Sequence, residues 1–566
     1  MKRRLARLFA LGAIAVVTSA HVGSPDTYFE GAAGPYPIRV IIRNPGVVPG
    51  LAQITVRLLD PATERRVLVL PVYWDPRTAA PPPADVAERV PGDSTLYSAA
   101  LWLMRGGAYS VQVTVEGASG TGTALVPVMA VATRRLALQK PLGMGLLGLG
   151  AFLFIGALTI VRAAVRESAL APGQQPDRRR SVRAWIATTA SAIVLALALV
   201  GGRAWWNTVD AAYRSGLYQP LHATATVRAT AGGTVLHFAI DDTSWTNRRQ
   251  WTPLIPDHGH LMHLFLVRNE QLDGFAHLHP LPRDSTTFEA YLPPLPAGTY
   301  RVYADIVHES GFAQTLVATA EIGSPAPAWH PSDADDAWLL GNGNGETGNV
   351  ARLADGSRMT WERADTPIVV DQAAPLRFAV RTADGKPAAL ELYMGMAAHA
   401  MITRDDGTVF VHLHPEGTIS VAAQETFVLR QPGDTIRGAL RKRLAAMDMG
   451  RWDKGEVRPG AVSFPYAFPK PGRYRLWVQV KRNGRILTGV FDAAVSPERW
   501  EAPHKSREVG GGGVARVTRE GARAAHLRRS VGDTEPSVPA VRPRVSACDA
   551  PAPDFASPLQ SFPSAT

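Results

Sequence analysis

The sequence predicts a mainly β protein, with three immunoglobulin-like β-sandwiches outside a membrane plus two transmembrane helices. Three observations predict it. Leu142–Val161 and Ala184–Gly202 are runs of 20 and 19 residues without a charge, and about 20 apolar residues suffice for a bilayer-spanning helix. The remaining chain alternates apolar with polar or small residues, as at 38–43 and 53–59, punctuated by 45 Pro and 51 Gly. A Gly-x-Tyr opening to an alternating strand occurs three times, at Gly107-Ala108-Tyr109, Gly298-Thr299-Tyr300 and Gly472-Arg473-Tyr474. A tyrosine at such a corner precedes a late strand in immunoglobulin-like sandwiches, and three copies argue for three related domains.

In chain order, residues 1–20 have the layout of a secretory signal peptide. Lys2, Arg3, Arg4 and Arg7 precede an apolar stretch from Leu8 to Val17, and Thr18-Ser19-Ala20 supplies small residues for cleavage; an uncleaved anchor helix is the alternative. Cleavage after Ala20 makes His21 the mature N-terminus. Residues 21–140 form the first sandwich. Between the two spans, residues 162–183 carry six Arg against Glu167 and Asp177, which places this loop in the cytoplasm. Trp205 and Trp206 follow the second span as an interfacial belt. Both flanks then face the periplasm, the side that the signal peptide also demands, and the chain sits in the inner membrane. Neither span has an ionisable residue in its middle, so the two helices alone make no transport pathway. Residues 220–325 and 345–497 are the second and third sandwiches. The third has an insertion at 416–460 with a short helix expected near Thr435–Ala446, capped by Asp434. Residues 502–566, with Gly510–Gly513 and scattered Arg among Pro, Ser and Ala, read as disordered.

The net charge of +11 falls in 1–20, 162–183 and 502–566 and leaves the rest neutral, which argues against a nucleic-acid partner. The single cysteine, Cys548, lies in the tail. Disulfides, thiolate sites and cysteine catalysis are therefore excluded from the folded part.

The second and third regions share a motif. Met262-His263 opens a strand that turns at Asp273-Gly274 and returns through Phe275-Ala276-His277-Leu278-His279-Pro280. Ala398-His399 opens another that turns at Asp406-Gly407 and returns through Phe410-Val411-His412-Leu413-His414-Pro415. Asp-Gly between apolar runs signals a hairpin. Side chains two apart share a strand face, so His277 and His279 project together, as do His412 and His414. The hairpin partner brings His263 or His399 to its pair. His308, in phase with Tyr300, is a candidate fourth ligand, and His258 and His260 lie just upstream as further candidates. The third region has Lys481 and Arg482 where His308 would fall, and Met394 or Met396 can complete its site. Imidazole clusters suit Cu(II), Zn(II) or Ni(II), and thioethers favour Cu(I). Five of the 11 Met lie in 394–449, which favours copper over zinc. The competing reading makes the histidines structural and the Met residues core filler. His21 would offer an amine and an imidazole to one ion, although residues 22–140 contain no other His.

The sequence contains no phosphate-binding Gly loop, dinucleotide fingerprint, Gly-x-Ser-x-Gly elbow or His-Glu-x-x-His. Asp284, Asp305 and Glu309 pair with no nucleophile and read as solvated carboxylates, so no catalytic residue is expected.

The stretch from Asp384-Gly385-Lys386-Pro387 through Tyr393-Met394-Gly395-Met396 and His399 to Asp406-Gly407 and His412-Leu413-His414-Pro415 resembles a module of bacterial envelope proteins associated with copper and heavy metals. The Gly-x-Tyr strands resemble the small immunoglobulin-like domains of the YtkA/FixH type, and a mature N-terminal His on such a domain is similar to CopC-type copper carriers. The resemblance covers 220–325 and 345–497 well and 21–140 loosely. It implies β-sandwiches and an envelope role in metal handling. A membrane-anchored metal-binding protein for storage, delivery or sensing, working with other envelope metal-handling proteins, is the leading expectation. The alternatives are an envelope scaffold with structural histidines and a copper-dependent oxidoreductase.

Overall fold

The computed structural model describes residues 26–497, apart from 61–64, 76–80, 169, 172, 242–252, 324–328, 342–347, 364–365, 374–375, 432–433, 435–437 and 447–457. The signal peptide, His21 and the 502–566 tail lie outside the described residues.

The three Gly-x-Tyr strands are Gly107–Gly117, Gly298–His308 and Gly472–Arg482. Each opens on a glycine at strongly positive φ, 131°, 144° and 139°, which a side chain would strain. The tyrosine then reaches back four residues. Tyr300 and Tyr474 hydroxyls donate to the carbonyls of Pro296 and Lys470 at 2.8 Å, and the Tyr109 hydroxyl accepts from Arg105 N at 3.0 Å. This is the corner expected of an immunoglobulin-like sandwich, built three times.

Each domain is two packed sheets. The first sets strands Asp26–Ala33, Tyr36–Arg43, Gly50–Leu58, Leu96–Leu103 and Glu88–Arg89 against Asp85–Val86, Arg66–Tyr73, Gly107–Gly117 and Gly120–Ala130. In the second, the central sheet orders Leu254–Ile255, Gly298–His308, His263–Arg268, Gly274–Leu278 and Ala337–Leu340, with Ala313–Ile322 also on Gly298–His308. The corresponding sheet of the third orders Ile368–Val369, Arg485–Ser496, Gly472–Arg482, His399–Arg404 and Phe410–Leu413. Ala337–Leu340 lies beyond the expected boundary at 325 yet pairs with the second domain's histidine strand, Ala337 opposite His277.

The histidine strands of these two sheets are buried on both faces. Leu264 and Leu266 point into the second sandwich's own core. Phe265 and Val267, on the other face, join Phe275, Tyr303, Met401, Phe410 and Trp477 in a separate cluster between the domains. The packing is reciprocal: Phe275 stacks on Trp477 at 4.8 Å and Phe410 on Tyr303 at 3.9 Å. The motif phenylalanine of each domain thus lies on the aromatic of the other domain's Gly-x-Tyr strand, and the two sandwiches are related by a local two-fold.

The first sandwich clamps the loop after His414. Phe29 bridges Gly417, Glu30 N donates to Glu416 O at 2.8 Å, Thr418 N donates to Tyr28 O at 3.0 Å, and Ile419 enters the first sandwich's core. Gly417 has φ 118°, and a Cβ there would stand 2.0 Å from the Tyr28 carbonyl oxygen, so only glycine permits this approach.

Two helices, Lys140–Glu167 and Arg178–Ser215, are long and apolar enough to cross a membrane. The second starts earlier and ends later than Ala184–Gly202. Asp177 caps it by accepting from Arg180 N at 2.7 Å, so the arginine cluster is helical and the 162–183 connection is shorter than expected. Trp205 and Trp206 lie within the helix. The N-terminal end of the first helix and the C-terminal end of the second adjoin: Arg135 pairs with Asp210 at 2.5 Å and Tyr218 N donates to Ala132 O at 2.8 Å. In the insertion, a helix Val421–Leu429 was not expected, and the expected helix is the shorter Ala439–Ala445. Asp434 does not cap it and instead pairs with Arg443 at 2.7 Å. Glu309 accepts from Gly438 N and Arg441 N at 2.7 and 3.0 Å, so this fully buried residue is a helix cap and not a solvated carboxylate.

Candidate metal centre

The hairpin register places each histidine trio as the motif predicts. Phe265 faces His277 and Met401 faces His412. Two groups result, His263/His277/His279 and His399/His412/His414. In each, one ring nitrogen from every member lies within 4.8 Å of the others, so each can hold a metal ion. Five of the six rings are fully buried, and the His412 side chain is 6% exposed.

The hydrogen bonds fix which nitrogens converge. A carbonyl oxygen only accepts, so the ring nitrogen facing it carries the proton and the opposite one holds a free lone pair. His263 Nε2 donates to Asp257 O at 3.1 Å, His277 Nδ1 to Gln479 Oε1 at 2.9 Å, and His279 Nδ1 faces Asp336 Oδ1 at 3.2 Å. In the third sandwich, His399 Nε2 donates to Tyr393 O at 3.1 Å, His412 Nδ1 faces Asp305 Oδ2 at 3.3 Å, and His414 Nδ1 donates to Ile419 O at 2.9 Å. With Asp336 and Asp305 ionised, the unprotonated set is Nδ1, Nε2 and Nε2 in both triads. Each histidine uses its other nitrogen on a carbonyl or carboxyl, the arrangement that orients metal-binding imidazoles.

The lone pairs that remain are left facing one another. His263 Nδ1 stands 3.3 Å from His277 Nε2, and His399 Nδ1 stands 3.1 Å from His412 Nε2, with no proton between them in these tautomers. His279 Nε2 and His414 Nε2 are buried and, among the described residues, have no hydrogen-bond partner. Such groups are costly in a dry interior. A cation removes the cost, and metal–nitrogen bonds of about 2.0–2.1 Å at tetrahedral angles put neighbouring nitrogens roughly 3.3 Å apart. The residues present fit a metal ion. Burial holds all six imidazoles below the ordinary histidine range, His277 at about 3 and His414 at about 4. Neutral imidazole, the ligating form, is thus set without the metal.

The two triads are one cluster. His263 and His412 rings are centred 5.5 Å apart, and His277 and His412 rings 5.7 Å apart. The outer hydrogen bonds cross the interface reciprocally. Gln479 lies opposite His399 in its own sheet yet serves His277; Asp305 lies opposite His263 yet serves His412. Asp305 is also held by Thr315 Oγ1 at 2.5 Å, and burial pushes its carboxyl up to about 7. It is a half-buried partner of a triad at the edge of the cavity, in contrast to the solvated carboxylate expected. Burial likewise pushes Asp336 up to about 7.

His308 is not with the triads. It stands opposite Leu254, with its Nε2 2.7 Å from Gln314 Nε2. The parity that puts it in phase with Tyr300 turns it toward the second sandwich's core, whereas Asp305, opposite His263, has the parity of the interface face. Met394 and Met396 are buried on a Tyr393-Met394-Gly395-Met396 turn, six residues before His399, and Asp257-His258-Gly259-His260 is the same turn six residues before His263. Both second positions have positive φ, 49° at His258 and 51° at Met394. His260 joins a third group with His279 and Asp333. Sequence reasoning missed Asp305, Gln479, Asp336 and Tyr393. The continuous apolar runs at 264–267 and 400–402 signalled a second buried face.

A cavity of about 250 Å³ reaches the cluster at the junction of the three sandwiches. His260, His263, His412 and His414 line it together with Asp26, Met129 and Tyr218.

A family model described as a domain of unknown function (DUF8832) matches residues 221–323 and 351–497, the two histidine-bearing sandwiches. No curated protein matches the chain. Among solved structures, a Ca2+-stabilized adhesin of an Antarctic bacterium is 7% identical, with 80% of this chain and 71% of that chain covered at a TM-score of 0.13. Salmonella alpha-2-macroglobulin is 10% identical over 84% of this chain and 24% of its own, at 0.17. The ICAM-5 D1-D4 ectodomain fragment is 10% identical over 80% and 74%, at 0.12. At these TM-scores the likenesses carry no argument about the site.

Proposed function

We propose that this chain is a membrane-anchored, periplasmic metal-binding protein that holds two ions, copper before zinc, between its second and third sandwiches for storage, delivery or sensing. One observation carries the reading. Two triads from two domains present the same three unprotonated nitrogens, with the other nitrogen of each ring held by an oxygen. Structural histidines would be expected to spend both nitrogens on hydrogen bonds.

Copper is favoured by the pairing of imidazoles with a Met394-Gly395-Met396 turn, since nitrogen and thioether together suit both copper oxidation states. The topology supports the periplasmic assignment. The helices form a hairpin whose arginine-rich end faces one way and whose other end leads to every sandwich, in the sense the positive-inside rule requires. The cavity supports exchange with a partner or a hydrated ion.

Metal analysis of the purified full-length chain in detergent tests the reading. About two equivalents of copper, competed by a chelator of known affinity, is the expected result. A folded chain that neither retains nor takes up copper or zinc overturns it.

A further inference from the structure

We propose that His258 is a fourth ligand, supplied by the second sandwich, to the ion held by His399, His412 and His414 of the third, so that the ion joins the two domains. The inference rests on the metal-binding reading and assigns to that site a residue outside the three histidine groups.

His258 is the least explained polar side chain in the cluster. Its side chain is 2% exposed, and among the described residues neither ring nitrogen has a hydrogen-bond partner. The nearby Asp257 carboxylate is 3.9 Å away and accepts from Ala422 N at 2.9 Å. Two buried, unsatisfied ring nitrogens cost stability unless something binds them.

The ring lies beside the triad, although in this arrangement its nitrogens are outside the 4.8 Å grouping of the three triad nitrogens, so ligation needs the ring to turn toward them. Its centre is 4.9 Å from that of His414 and 5.4 Å from that of His399, inclined at 70° and 84°. Within the triad the corresponding spacings are 5.3, 5.0 and 4.6 Å. Imidazoles around one four-coordinate ion have their centres roughly 5 Å apart, given metal–nitrogen bonds of about 2.0–2.1 Å. His258 therefore stands at triad spacing from two of the three members, His399 and His414, from the other domain.

The backbone aims it there. His258 holds φ 49°, a conformation uncommon for a side-chain-bearing residue and one that surrounding structure must sustain. The turn splits its two histidines between the sites. His260 sits 4.0 Å from His279 of its own domain, with its Nδ1 3.8 Å from Asp333, and His258 reaches into the partner domain. The third-sandwich site becomes an all-imidazole, four-coordinate site, which suits Cu(II) and Zn(II) and is closed in the manner of a retaining site.

The test uses the full-length chain in detergent, with Co(II) as an optical probe and Zn(II) for affinity. In His258→Ala, one of two stepwise Zn(II) affinities is expected to fall at least about tenfold, with weaker Co(II) ligand-field bands as water replaces a nitrogen. His258→Phe keeps an aromatic ring there without a nitrogen. It is expected to restore the metal-free melting temperature and leave the affinity loss intact. The loss should vanish on a His412→Ala background and persist on a His277→Ala background. Unchanged affinities and bands in both variants overturn the inference and leave the metal reading standing. A wild-type chain that binds neither ion overturns both.

Discussion

In the second sandwich the residue opposite the first triad histidine is Asp305; in the third it is Gln479. Thr315 and Thr488 stand behind them at the same register. Each reaches across the two-fold to a histidine of the other domain. The comparison separates what both sites share from where they diverge. The three histidines, the Asp-Gly hairpin and the stacked phenylalanine occur twice, and they are what three converging lone pairs require. The differences fall on the turn, His258-Gly259-His260 against Met394-Gly395-Met396, and on the outer partners. The third-sandwich triad has the Asp305 carboxyl, a carbonyl from Tyr393 and one from Ile419. The second-sandwich triad has the Asp336 carboxyl, a carbonyl from Asp257 and the Gln479 amide. The third is also tied to the first sandwich through Gly417. Two sites with one inner pattern and different surroundings are suited to different affinities or oxidation states.

The strongest break in the comparison removes one triad at a time. His277→Ala with His279→Ala, and His412→Ala with His414→Ala, should each remove one metal equivalent of two, measured by elemental analysis after desalting. Loss of both equivalents from either double variant would show that the sites load only together. Phe275→Ala and Phe410→Ala should each destabilise the apo chain by about 3–5 kcal/mol, read by denaturant unfolding, with near-equal values if the local two-fold is an energetic symmetry.

Gly417→Ala places a Cβ against the Tyr28 carbonyl and should loosen His414 through Ile419. The third-sandwich site should weaken more than the second-sandwich site in stepwise titration. Asp305→Asn should lower metal affinity at the third-sandwich site about 10–100-fold and leave the His263 site unchanged, which makes the two outer partners alike.

A further expected effect is on pH dependence. The buried imidazoles have folded pKa values below the unfolded value, His277 about 3 and His414 about 4. Between those values and about 6.5 the unfolded chain binds more protons, so apo stability falls as pH drops through that window. Asp305 and Asp336, raised to about 7, act in the opposite sense between about 4 and 7. The six imidazoles outnumber these two carboxyls. The apo melting temperature should therefore decline from pH 7 to pH 5, and bound metal should reduce the decline.

Much of the fold was legible in the sequence because its signals are local. Gly-x-Tyr reports a backbone corner, Asp-Gly a hairpin, and an uncharged run of 20 residues a membrane-length helix. The triads were legible for the same reason: a hairpin fixes which residues face each other, so His263 and His399 could be assigned to their pairs. His308 was misplaced because strand phase gives parity without saying which face carries the site. Asp434 was misread because Asp before a helical pattern resembles a cap, and the buried Glu309, more than 120 residues away in sequence, took that role.

The sequence by itself determined three sandwiches, two long apolar helices and two copies of a three-histidine hairpin, since each is set by contacts between neighbours on a strand or across one turn. Only the tertiary structure decided that the two hairpins face each other, that Gln479 and Asp305 exchange partners across the interface, and that His258 lies against the other domain's triad. Those relations depend on how two sheets dock, and docking is set by the summed burial of faces such as Phe275 on Trp477 and Phe410 on Tyr303. Hydrophobic burial of this kind is non-directional and collective, and no short stretch of sequence encodes it.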